Sequence, residues 1–174
     1  MIVVVASLAL AIGLIILLSG YFAGRDQAGI SSAAQGPGIV FRDQGDARLR
    51  SGELRAPYDS NPPTSGAHVS APVLRDSATL NDDQLLQALS LGNVVMIYGS
   101  RMPPPGLPAL AREVAGPFTP ALEASGQAVI LARRPETPGV IGLAWAHMVR
   151  VRLPADPVLR QFAQFWLGRG APSR

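Results

Sequence analysis

From Ile2 to Gly24 the chain is one apolar run, and its first charges are Arg25 and Asp26. Read as a helix rising about 1.5 Å per residue, the run is roughly 35 Å long, which exceeds a hydrocarbon core of about 30 Å. Only a helix satisfies its own backbone groups in lipid within a single segment. A cleaved secretion signal would show a basic start, a shorter apolar stretch and small residues at the cleavage point. Here only Met1 precedes the run, and Tyr21 and Phe22 crowd its end. The expectation is therefore a retained single-pass anchor over residues 1–24. Ala6, Gly13 and Gly20 recur every seven residues, and Ala9 with Gly13 makes a small-x-x-x-small pair. That spacing lets a neighbouring helix approach closely in a bilayer, although an alanine-rich helix also produces it with no packing role.

Beyond the run, residues 25–56 are rich in Gly, Ala, Ser, Gln and Arg, with one apolar island at Ile39, Val40 and Phe41. They read as a flexible linker. Tyr58 to His68 follows as a loop in which Pro62 and Pro63 fix φ and Gly66 permits a bend. The pattern then predicts a helix over Asp82 to Leu91, capped by Asn81 and stopped by Gly92, with Leu85, Leu86 and Leu89 on one face. A buried strand is expected at Val94 to Tyr98, an extended excursion at Met102 to Gly106, a helix at Leu107 to Val114 and a helical turn at Thr119 to Ala124.

Ala128 to Leu131 reads as a strand, and Ile141 to Val151 as one longer strand. In the latter, alternation places Ile141, Leu143, Trp145, His147, Val149 and Val151 on a single face. Asp156 and Pro157 open a last helix, whose stripe of Val158, Leu159, Phe162, Phe165 and Trp166 should seal the core before Gly168 stops it. The fold expected is α+β, or small α/β: one domain over 57–174 with a three- to four-stranded sheet and packed helices, preceded by the transmembrane helix.

Composition narrows the chemistry. All fifteen basic residues are Arg and mix with twelve acids, so no basic stripe marks a nucleic-acid surface. The absence of Lys beside abundant Ala, Gly and Pro fits a GC-rich genome better than a chemical role. Without Cys there is no disulfide, thiolate metal site, cysteine nucleophile or lipidated cysteine. Arg25, offset by Asp26, barely chooses the orientation of the anchor. Ser65 sits between Thr64 and Gly66, but no G-x-S-x-G elbow surrounds it. Asp82 and Asp83 face different directions on a helix and suit its positive end. His147 reads as a core histidine, and His68 as a structural loop histidine that would otherwise be a weak metal candidate.

Tyr58, Ser60, Pro62, Pro63, Thr64, Ser65, Gly66 and His68 resemble the Y-x-S-x-P-P-T-S-G-x-H motif of an uncharacterised family of membrane-anchored or secreted bacterial proteins, domain of unknown function 3105. The similarity extends through Val94 to Tyr98, Ala144-Trp145, Phe162 and Gly170 to Ser173, covering about residues 57–173. That family carries H-x-L-E-H-G in the first helix, which implies a His-Glu-His metal or acid/base group. Gln87, Ser90 and Leu91 stand at those positions here, and His68 alone remains of the presumed set. One imidazole does not make a closed metal site.

These observations imply no cofactor and no catalytic residues. They lead to the expectation of a non-enzymatic accessory or structural subunit of a membrane complex, respiratory or photosynthetic. Its partner would be an integral membrane protein held through the helix and the extramembrane domain. The resemblance implies the bacterial inner membrane with the domain in the periplasm. Two other readings are a periplasmic metal-binding or redox-assisting protein that uses His68, and a peptide-binding module that uses Met102 to Pro108.

Overall fold

The computed structural model describes residues 36–172. The anchor expected over 1–24, with Ala6, Ala9, Gly13 and Gly20, lies outside the described residues. Among those described, no helix is long and apolar enough to cross a membrane.

From Pro37 onward the chain forms one unit. Its five-stranded sheet has the order β1-β7-β6-β4-β5, built from β1 (Ile39–Val40), β4 (Val94–Tyr98), β5 (Val129–Arg133), β6 (Val140–Ala144) and β7 (His147–Val151). Neighbours are antiparallel except β4 and β5. A separate two-stranded parallel sheet joins β2 (Arg48–Leu49) to β3 (His68–Val69). Four helices complete a mixed α+β domain: α1 (Asp82–Leu91), α2 (Leu107–Ala115), α3 (Pro120–Ala124) and α4 (Pro157–Trp166). The expected three or four strands become five because the one long strand expected over 141–151 is two, β6 and β7, and because β1 enters from the stretch read as a linker. A two-residue strand carries too little pattern to be legible in a Gly-rich segment.

Strand alternation divides the core between the two sheet faces. Val95, Ile97, Ile130, Ile141 and Leu143 pack with Leu85, Leu86 and Leu89 of α1. Val94, Met96, Tyr98, Val129 and Leu131 pack with Leu107 and Leu110 of α2 and with Leu159 and Phe162 of α4. The expected caps form: Asn81 accepts from the Gln84 N–H in a capping box, Gly92 takes a left-handed conformation, and Asp156 accepts from the Val158 N–H. Their agreement with the apolar spacing explains why the helix boundaries were readable.

The single strand expected over 141–151 is a hairpin. Trp145 and Ala146 form a two-residue turn, with Ala146 at φ 58°. The turn opposes Ala144 to His147 and Leu143 to Met148, so facing parity inverts across it. Ile141, Leu143 and Trp145 stay on the α1 side, whereas Val149 and Val151 move to the α4 side. No Gly, Asn or Pro announces the turn. It is fixed by tertiary hydrogen bonds instead, from the Ala146 N–H to the Thr64 carbonyl (2.9 Å) and from the Phe41 N–H to the Ala146 carbonyl (2.8 Å). Gly142 brings α4 close to the sheet, because a Cβ there would lie 3.0 Å from Leu159 Cδ1 and 3.2 Å from Phe162 Cδ1.

Two buried polar residues hold the α1 side together. Asn93 donates to the Ala88 and Glu123 carbonyls and accepts from the Ala128 N–H, which ties α1, α3 and β5 at one point. The Glu123 carboxyl is almost fully buried and accepts one hydrogen bond, from the Val73 N–H. Burial pushes its pKa up more than that bond lowers it. A raised folded-state pKa contributes stability below the unfolded value of about 4.3, and that contribution is lost as pH rises through the folded value. Glu123→Gln retains an acceptor for Val73 and removes the charge. It should raise the melting temperature at about pH 8, and the difference from wild type should vanish near pH 4. An unchanged melting temperature at pH 8 would show that the carboxylate is solvated.

Candidate functional site

The loop from Tyr58 to His68 is built as a frame. Pro62, Pro63, Thr64, Ser65 and Gly66 are buried, and the Asn61–Pro62 peptide is cis. Tyr58 Oη donates to the Ala67 carbonyl at 3.0 Å, while Ser60 and Thr64 share a hydrogen bond of 3.3 Å. Gly66 sits at φ 133°, and a Cβ on it would come within 2.9 Å of the Tyr58 ring. Ser65 Oγ donates to the Arg42 carbonyl and accepts from the Gln44 N–H, both at 3.1 Å. Tyr58 and Ser65 therefore hold backbone, Ser60 and Thr64 hold each other, and the hydrogen-bond partners of Ser65 Oγ are backbone groups. This loop positions His68 without supplying a reacting group.

His68 is fully buried. Its Nδ1 lies 2.9 Å from the Gly66 carbonyl and its Nε2 lies 2.5 Å from Arg48 Nη1. A carbonyl only accepts and a guanidinium only donates, so Nδ1 carries the proton and Nε2 presents its lone pair to Arg48. The ring is neutral. Burial pushes its pKa down against the opposing hydrogen bond to the Gly66 carbonyl, and the Arg48 charge adds a smaller lowering effect that outweighs those of Asp83 and Asp46 taken singly.

Arg48 connects this histidine to the first helix. The same Nη1 donates to Gln87 Oε1, and Nη2 donates to Ser90 Oγ at 3.2 Å. Gln87 Oε1 also accepts from Ser70 Oγ. Two of the three positions where the resembling family has its helix polar residues thus converge with His68 on one guanidinium. Leu91, the third, is half-buried and takes no part. Arg48 makes no salt bridge among the described residues. Its charge is held by an imidazole nitrogen, an amide oxygen and a hydroxyl, all neutral.

Sequence reasoning missed Arg48 because it lies in the stretch read as a linker. Residues 37–49 are hydrogen-bonded into both sheets. Trp166 Nε1 donates to the Pro37 carbonyl, Trp145 Nε1 donates to Asp43, and the His68 N–H donates to the Ala47 carbonyl. The available signal was the apolar island at Ile39 to Phe41.

The remaining candidates, His147 and Asp83, contact backbone groups and neighbouring side chains. His147 donates from Nδ1 to the Trp145 carbonyl at 2.7 Å and stacks on Trp166 at 3.7 Å between ring centroids; burial pushes its pKa down. Asp83 accepts from the Val69 N–H and pairs with Arg55 at 2.6 Å, which anchors the start of α1 to the loop. Among the described residues no three His, Cys, Asp or Glu side chains gather as metal ligands. An open cavity of about 420 Å³ lies between Arg42 to Gln44 and the stretch of Ala56, Tyr58 and Ala67.

Residues 52–173 match the model of a protein family of unknown function, DUF3105, and the chain belongs to that family. No curated protein and no solved structure matches it. Arg48 precedes the matched region.

Proposed function

We propose that this protein is a non-enzymatic, single-pass membrane protein whose extramembrane domain acts as an accessory subunit of a membrane complex. It would reside in the bacterial inner membrane with the domain on the periplasmic side. The observation that supports this reading is the closure of the polar cluster on itself: His68, Gln87 and Ser90 engage Arg48. A general base needs a free lone pair facing substrate, and a metal needs several convergent ligands. Packing and surface suffice for a subunit that docks. The apolar run of residues 2–24 supports the anchor, and its small residues offer a face for a neighbouring helix.

The test is purification of the tagged full-length chain from its native membrane in mild detergent. A stoichiometric integral membrane partner should accompany it. Gly13→Leu should weaken that association by about tenfold or more, since a bulky side chain blocks close backbone approach, whereas Leu14→Ile preserves volume and should leave it intact. A chain that purifies alone would overturn the accessory-subunit reading. Retention of the partner by both Gly13→Leu and Gly20→Leu would reduce the helix to a tether.

A further inference from the structure

The cluster around Arg48 has the form of a receptor with an occupant. The receptor side belongs to the family-matched region: the buried His68 with its lone pair, Gln87 Oε1 and Ser90 Oγ on α1, and the His68 backbone N–H. The occupant comes from the segment before it. β2 is two residues long, pairs only with β3, and has solvent-exposed residues on both sides. The same segment overlies the cavity of about 420 Å³ at Arg42 to Gln44. Ser65 and Trp145 pin residues 42–44, whereas backbone pairing with β3 and the contacts of one arginine hold the stretch around Arg48.

We propose that His68, Gln87, Ser90 and the β3 edge form a recognition site for an arginine carried on an extended segment of a partner protein, and that Arg48 fills this site in cis. Extended recognition of this kind takes its affinity from main-chain hydrogen bonds and its selectivity from a side-chain pocket. The pocket selects Arg over Lys. Its acceptors contact two different guanidinium nitrogens, which a single ammonium point charge does not reproduce. Lacking a carboxylate, the pocket binds a free arginine weakly, so connection to the chain keeps Arg48 in place through effective concentration. Removing the arginine takes the donor from the His68 lone pair, and lifting the whole segment also takes the Ala47 carbonyl from the His68 N–H. Release of Arg48 is thus coupled to entry of another donor, and the site works by exchange. This inference rests on the reading of the domain as an interaction subunit and gives one of its surfaces a partner chemistry.

The test uses full-length chain in detergent and a fluorescent peptide of residues 44–52, QGDARLRSG. Arg48→Gly should bind the peptide saturably and at least about tenfold more tightly than wild type, whose site is filled. A peptide carrying Ala in place of Arg48, which still retains Arg50, should bind Arg48→Gly about tenfold more weakly or worse, and a Lys peptide likewise. Arg48→Gln serves as the vacated receptor if the glycine variant melts at the assay temperature. Equal binding of the Arg and Ala peptides, equal binding by wild-type and vacated chains, or no saturable binding to a folded vacated chain would overturn the proposal. None of these outcomes touches the membrane co-purification, so failure here and failure of the accessory-subunit reading are separable.

Discussion

Phe162→Ala should cost about 3 to 5 kcal/mol, the range for removing a large side chain from a core that relaxes only partly. Phe162 is fully buried on α4. Its ring approaches Gly142 on β6, and also Gly38, where a Cβ would meet Phe162 Cε2 at 2.8 Å. Both glycines shape the hole that the ring fills, so neither neighbour has a side chain that could swing into the cavity. The exposed Gln164 on the same helix is the control, and Gln164→Ala should stay within about 0.5 kcal/mol. Trp166 is only half-buried; it stacks on His147 and donates to Pro37. Its truncation should cost about 2 kcal/mol, chiefly by loosening Pro37 and the residues that follow it. Denaturant midpoints with unchanged slopes would measure all three. A Phe162→Ala chain within 1 kcal/mol of wild type would show that α4 is not the lid of this core.

The contrast between Phe162 and Trp166 shows what the sequence carried. The apolar stripe of α4 placed Leu159 and Phe162 against the sheet, because helix periodicity is local and its caps agreed with it. It also included Val158, which is exposed, and Phe165 and Trp166, which are half-buried, since a stripe says nothing of where the sheet ends. Long strands were legible for the same local reason, but the β6–β7 turn was not. Its residues, Trp145 and Ala146, have no turn chemistry, and the hydrogen bonds that fix it come from Thr64 and Phe41, far away in sequence. The site divided in the same way. The loop motif was readable because Pro, Gly and His are informative types, and the departures at Gln87, Ser90 and Leu91 were visible against the family pattern. What joins them is Arg48, one of fifteen arginines, and nothing local marks which arginine will meet His68, Gln87 and Ser90. Burial of Asn93 and Glu123 was equally invisible, since each answers backbone groups on other elements.

His68→Ala is the second large effect expected, about 3 kcal/mol. The substitution opens a cavity in a fully buried position, leaves the Gly66 carbonyl without its donor and leaves Arg48 without the imidazole acceptor. His68→Gln should cost less, because an amide offers both a donor and an acceptor in the same region. The two variants also separate structure from chemistry through pH. Burial and Arg48 hold the His68 pKa below its ordinary value, so the unfolded chain binds a proton first as pH falls. The stability this group contributes is complete above about pH 6.5 and declines as pH drops below that value. Glu123 acts in the opposite direction, so the comparison belongs in a Glu123→Gln background, where the melting temperature should fall between about pH 7 and pH 5. Adding His68→Gln should flatten that slope, leaving the part due to His147, whose pKa is also pushed down by burial. A buried histidine that only holds structure predicts this loss of stability together with unchanged metal content. Elemental analysis that finds a stoichiometric metal lost in His68→Ala would sink that account and favour metal binding, because a ring whose lone pair faces Arg48 has none left for an ion.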